Sequence, residues 1–250
     1  KHPEIDGNVM DFMPFINVIS YLQSYPYLRK KLKLFFNFES FLNDINMQTQ
    51  FSNEVNNANK FRDTYKDNCS IYVPKIYKYT DNIIISEFVD CVDYNSLSDY
   101  KKNMVSLNFV CLIKDMLLIN NFIHGDLHHK NWGVILDDTS TKKTPPKIVL
   151  FDFGICYTND DIQKSIDVFD ALELDDSEAL CKAVSKFIVV DNNKCIDELN
   201  TKLIQEIKKK GMEIGTLLSI IVGFLIKENV IIESFMLNIL ISLILVENLL

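Results

Sequence analysis

The sequence predicts a mixed α+β fold in two lobes, the first combining a long helix with a short β-hairpin and the second mostly helical. Three observations predict it. Residues 73–79 and 83–89 are β-branched and aromatic runs parted by Thr80-Asp81-Asn82, a turn-forming triplet. Residues 132–136 and 147–151 repeat that pattern around a polar, Thr- and Pro-bearing loop at 137–146. After Gly154 no run reads as a strand, and apolar residues recur at helical spacing.

Taken in order, residues 8–36 carry helical periodicity interrupted at Tyr25-Pro26, which predicts two helices joined by a proline turn. A longer helix is expected over 39–65, then the first hairpin, then a loop over 91–98. Helical spacing resumes over 104–121 and ends at Asn120-Asn121, just before the second hairpin. Helices are expected over 160–172, 177–189, 195–209 and from 211 to the end. No repeat or low-complexity tract interrupts the series.

A chain of 250 residues buries about three quarters of its surface, enough for one large domain or two lobes without an outside scaffold. Its net charge of −8 argues against a nucleic-acid partner, because a phosphate backbone is held by cations. The six cysteines are scattered singly, without a CxxC pair or a histidine at metal-ligand spacing, which predicts reduced thiols in an intracellular protein. The apolar segments 216–226 and 235–246 fall short of the roughly 20 residues that span a bilayer. They are expected to be buried helices, with contact between an amphipathic face and a membrane as the alternative.

The chemistry concentrates in FIHGDLHHKNWG, residues 122–133, followed by IVLFDFG, residues 148–154. Asp126 stands five residues before Asn131 on a loop that follows a helix, and Asp152 ends an apolar run expected to be a buried strand. Phosphoryl transfer asks little covalent help of a protein; it needs phosphates positioned and their charge neutralised, chiefly by Mg²⁺. Hard oxygen ligands must therefore converge. Asp152 and the Asn131 amide oxygen suit the metal, and Asp126 suits an acceptor hydroxyl or water whose proton it would take. Either motif alone is weak; their conjunction with a helix before and a hairpin between is specific. His124 is expected to tie the loop to the backbone near Asp152. His128 either touches the γ-phosphate or lines the pocket. Gly125 stands where a protein kinase has the Arg that answers a phosphorylated activation loop.

These residues resemble the HGDxHPGN motif of the UbiB/AarF-like atypical kinases linked to coenzyme Q biosynthesis, and that of aminoglycoside and choline phosphotransferases. Upstream sequence separates the two. NEVNNANKFR at 53–62, YVPKIY at 72–77 and IISEFVD at 84–90 are similar in order and spacing to the UbiB-type run of EA-x-NA-x-x-F, VP-x-V and ME-x-x-x-G. KHPEI at the start resembles the family's QHPGI. The resemblance spans residues 1 to about 190 and implies a protein-kinase-like fold, with a partial N-lobe over 1–89 and a helical C-lobe over 90–250.

It also implies Mg²⁺ and ATP as cofactors and a nucleotide as partner. Glu54 becomes the helix glutamate that pairs with a phosphate-binding Lys, and Glu87 and Val89 present backbone groups to adenine. Asp126 becomes catalytic, Asn131 and Asp152 metal-binding, and His128 nucleotide-binding. The alignment puts the phosphate-binding Lys two residues ahead of Lys1, so a truncated kinase domain is expected. Gln48 and Gln50 replace the family's acidic ExD pair, and His129-Lys130 replace Pro-Gly. The leading expectation is a kinase or ATPase, with lipid or quinone metabolism and a lipid or membrane surface as possible context. A small-molecule phosphotransferase of the aminoglycoside or choline type and a pseudokinase scaffold stay open beside it.

Overall fold

The computed structural model describes residues 49–136, 145–158, 161–189, 196–210, 214–228 and 230–232, with 14–15, 17–19, 21–22, 24–25, 27–28 and 31. The expected helices over 8–36, the first part of the 39–65 helix and the apolar segment 235–246 therefore lie wholly or largely outside the described residues, as does Gln48. Contacts group the chain into two compact units. One comprises Lys1–Gly7, Asp44–Thr158 and Asn248–Leu250, the other Asn8–Asn43 and Asn159–Glu247.

In the first unit, helix α1 (Phe51–Tyr65) starts at Gln50, whose side-chain oxygen accepts from the Asn53 amide at 3.1 Å. Val55, Ala58, Phe61 and Tyr65, three to four residues apart, form its buried stripe. The helix gives way to a strand where Asn68 Oδ1 accepts from the backbone N–H groups of Ser70 and Ile71, at 2.8 and 3.1 Å.

Strand β1 (Ile71–Tyr72) then departs from the expected pairing. It lies parallel to β6 (Lys147–Leu150), with Ile71 opposite Ile148. β6 pairs on its other side with β5 (Trp132–Ile135), antiparallel, giving the order β1-β6-β5. The expected 73–79 strand is shortened because Pro74 has no N–H to give a ladder. The chain resumes as β2 (Ile76–Tyr79), which forms the expected hairpin with β3 (Ile84–Ser86).

Helix α2 (Asp99–Lys114) starts five residues earlier than expected, at the N-cap Ser98. It widens into a π-helical turn, Asp115–Ile119, where the Asn120 N–H reaches back to the Asp115 carbonyl at 2.7 Å. Val105, Phe109, Leu112, Met116 and Leu117 are buried along it. Asn121, at φ +48°, then turns the chain into β4 (Phe122–His124), paired antiparallel with β7 (Cys156–Thr158).

The second unit carries helices α3 (Ile162–Glu173), α4 (Ser177–Ser185), α5 (Ile196–Lys210) and α6 (Ile214–Glu228), each packed on the next. Asp161 and Asp176 cap the first two by accepting from backbone N–H groups of the following turn. Helix α4 ends four residues before the expected limit of 189, and Ile188–Val189 (β8) pairs with Ile231–Ile232 (β9). Strands β7, β8 and β9 thus overturn the expectation of no strand after Gly154. Each is two or three residues long, too short for alternation to show in sequence. Among the described residues no helix is long and apolar enough to cross a membrane.

Candidate active site

The loop between β4 and β5 is built around His124, which is fully buried. Its Nδ1 accepts from the Asp126 backbone N–H at 3.2 Å and its Nε2 donates to the Phe151 carbonyl at 2.9 Å, a tautomer that follows from the two partners. Burial holds the ring pKa below its ordinary value, outweighing the opposite pull of the Phe151 carbonyl, Asp152 and Asp126. His124 is therefore a neutral tie between the loop and the strand end that carries Asp152, as expected of it.

Gly125 has a steric role that the sequence did not disclose. Its N–H bonds to the Ile155 carbonyl at 2.9 Å, and a Cβ placed on it would lie 2.3 Å from Tyr157 Cε2. The β4–β7 pairing brings that ring over the glycine, so no larger residue fits without displacing it.

Asn131 holds Asp126. It is buried, and its amide donates to the Asp126 backbone carbonyl at 2.9 Å and to Asp126 Oδ2 at 3.2 Å. Its own backbone bonds the His128 carbonyl and the Phe151 N–H, both at 2.9 Å. With both contacts made by the NH₂, the amide oxygen is left available to a cation. His128 Nε2 stands 3.7 Å from Asp126 Oδ2, and its Nδ1 accepts from the Lys130 N–H.

Asp152 has φ +56°, the left-handed region that a non-glycine residue enters at a cost of about 1 kcal/mol. The Gly154 N–H to Asp152 Oδ1 bond, at 3.3 Å, supports that turn. Phe153 is buried against Phe61 and His124, with ring centroids 5.1 and 5.2 Å away. From α1 the Asn57 amide donates to the Phe153 carbonyl at 2.9 Å. This helix-to-loop bond was missed in the sequence, although its signal was present: Glu54, Asn57 and Phe61 share one face of α1 by their spacing of three and four.

Glu54 reaches the same place. Burial, and then the charge of Asp152, push its carboxyl up to about 7. Cys156, nearby, has its thiol pushed far up by burial and by Asp152, so it is no thiolate at neutral pH. The structure thus brings together Glu54, Asp126, His128, Asn131 and Asp152. Glu87 and Val89 lie in the segment after β3. The Glu87 carboxylate accepts from the Tyr72 hydroxyl at 2.7 Å and the Lys75 N–H at 3.1 Å, contacts that hold its pKa below the usual carboxylate value. No hydrogen bond joins either residue to the 124–131 loop among the described residues.

Among those residues no three His, Cys, Asp or Glu side chains converge as a self-sufficient metal site. A carboxylate and an amide oxygen, Asp152 and Asn131, suit Mg²⁺ all the same, since that ion keeps waters and takes one or two carboxylates together with substrate phosphates.

The family model described as the ABC1 atypical kinase-like domain matches residues 1–184. Over 124 residues the chain is 25% identical to the probable serine/threonine-protein kinase abkD of Dictyostelium discoideum, a match covering 47% of this chain and 18% of that protein. A solved structure, the Rv3197–erythromycin complex from Mycobacterium tuberculosis, is similar over 68% of this chain and 45% of its own, at 17% identity and a TM-score of 0.45. The chain spans less than half the length of either relative.

Proposed function

The chain belongs to the ABC1 atypical kinase-like family, and from that premise we propose that it is a UbiB/AarF-like kinase or ATPase acting on Mg·ATP. The observation that carries the reading is the locked pair at the head of the loop: Asn131 fixes Asp126 at both its backbone and its carboxylate. A general base must be aimed before the reaction and not during it, and this bond aims it. Asp126 orients the acceptor hydroxyl or water and takes its proton.

The Asn131 amide oxygen and the Asp152 carboxylate would hold Mg²⁺, which when bound neutralises the charge of the transferring phosphoryl group. His128, beside Asp126, faces the phosphates. Glu54, a carboxyl pushed up by burial and by Asp152, has the electrostatic character of a group that awaits a cation, as the pairing of a helix glutamate with a phosphate-binding Lys requires. Backbone groups of Glu87 and Val89 meet adenine, between N-lobe elements within 1–89 and a C-lobe from residue 90. A lipid or quinone precursor, presented at a membrane surface, is the acceptor class that the UbiB-like branch favours.

Two substitutions test the assignment. Asp152→Asn is expected to abolish Mg²⁺-dependent nucleotide binding, while Asp126→Ala keeps binding and lowers turnover by about 10²- to 10⁴-fold. Undiminished turnover in the Asp126 variant, or intact Mg²⁺-dependent binding in the Asp152 variant, removes the corresponding role.

A further inference from the structure

A cavity of about 360 Å³ opens at the C-terminal end of α1, and no residue of the loop that carries Asp126 lines it. That volume is within the range of small-ligand sites. Four cations line it, Arg62, Lys66, Lys75 and Lys147, against two carboxylates, Asp63 and Glu87. This local excess runs against the charge of the whole chain, which is −8.

Of the four cations, Lys75 is answered by the charge of Glu87. Glu87 is occupied by the Tyr72 hydroxyl and the Lys75 backbone N–H. Arg62, Lys66 and Lys147 form no ion pair among the described residues, although Arg62 and Lys147 are half-buried. Arg62 and Lys66 are four apart on the last turn of α1, a spacing at which like charges repel. A helix C-terminus attracts cations, which accounts for those two and not for Lys147, contributed by the first residue of β6.

The remaining polar groups are donors as well. Asn68 spends its side-chain oxygen on the Ser70 and Ile71 N–H groups, which leaves its NH₂ to donate. Tyr72 and Val73 supply an apolar wall. Leaving Lys75 to Glu87, a guanidinium, two ammonium groups and an amide NH₂ around one small cavity present converging donors that one oxyanion can bridge.

We propose that this cavity binds a terminal phosphate group, of a soluble phosphate compound or a lipid headgroup, with Arg62 and Lys147 as its principal contacts. Its lining shares Glu87 with the proposed adenine contact, through a side chain already held by Tyr72 and Lys75, and includes none of Glu54, Asp126, Asn131 and Asp152.

Inorganic pyrophosphate, titrated into the intact protein in EDTA so that no Mg²⁺-dependent site contributes, is the probe. Thermal shift and calorimetry should show saturable binding that is weakened at least about tenfold by Arg62→Ala combined with Lys147→Gln and is unchanged by Asp152→Asn. Arg62→Lys, which keeps the charge without the planar fork, should give an intermediate loss, and Mg·ADP binding should survive in every one of these variants except Asp152→Asn. Vesicles of phosphatidylcholine with phosphatidic acid, in a parallel co-sedimentation, identify the source: binding to these vesicles without response to pyrophosphate assigns a lipid headgroup, and the reverse a soluble phosphate compound. The proposal is overturned if neither probe binds, or if binding is lost in Asp152→Asn and kept in the double variant.

Discussion

The 122–158 segment and the helices of 161–228 are stabilised in different ways. In the first, single residues make contacts that depend on their particular chemistry: His124 bridges two backbone groups, Gly125 admits the Tyr157 ring, Asn131 grips Asp126, and Asp152 sits in a left-handed turn. In the second, stability comes from buried apolar stripes such as Val168, Ala171, Leu180 and Val184, joined on the surface by ion pairs such as Lys208–Glu178. A stripe tolerates exchange among apolar residues of similar volume, while a two-ended hydrogen bond to a buried ring does not. The contrast teaches that the site region spends its residue identities on geometry and the helical unit on volume.

The sharpest way to break this comparison is His124→Leu. Removing the ring leaves the Phe151 carbonyl and the Asp126 N–H without their partner in a buried place, for an expected loss of about 3 kcal/mol in urea denaturation. A loss below about 1 kcal/mol would show that the loop is held mainly by packing. Gly125→Ala comes next, with about 1–3 kcal/mol from overpacking against Tyr157. Gly125→Ala combined with Tyr157→Ala, which removes the nearer of two clashes and leaves Ile155 Cγ2 at 2.8 Å, should recover part of that loss; no recovery would relocate the cause to Ile155 or the backbone.

Glu54 offers a smaller and pH-dependent effect. Its carboxyl is raised from 4.5 to about 7, so the folded state binds a proton more tightly than the unfolded chain. That contribution is fully present below about 4.5 and is lost as pH rises through about 7. Glu54→Gln should therefore stabilise the metal-free protein by about 1 kcal/mol near pH 8, a figure reduced for partial solvent screening, and leave it unchanged near pH 4. Equal effects at the two pH values would contradict the burial of Glu54 and the reach of the Asp152 charge. The smallest effect belongs to the helical unit: Lys208→Ala breaks an exposed pair with Glu178 and should change stability by less than about 0.5 kcal/mol. A larger change would mean that the second unit, too, depends on particular polar residues.

Legibility in the sequence followed the same division. Asp126, Asn131 and Asp152 stood out because phosphoryl transfer, the proposed chemistry, asks for those residue types at that spacing, and the tie made by His124 was expected from its place beside them. The β2–β3 and β5–β6 hairpins were readable from their turn residues and β-branched runs. The parallel pairing of Ile71–Tyr72 with β6 was not, since two residues carry no alternation and their partner is far along the chain. Nor was β7, whose three residues pair with β4 across the whole site. Asn57 was within reach of its helical spacing from Glu54, yet its acceptor, the Phe153 carbonyl, is a backbone atom that no motif records.

By itself, then, the sequence determined the atypical-kinase-like character, the α+β class and the identity of the polar groups at the loop, because these depend on residue type and short spacing. Tertiary structure alone decided that Glu54 is buried within reach of the Asp152 charge, that Gly125 lies under Tyr157, and that Arg62 and Lys147 line one cavity. The physical reason is that local periodicity reports which face of an element is buried, whereas the partner of that face is chosen by chain segments tens of residues away, through packing and backbone bonds that are the same for every residue type.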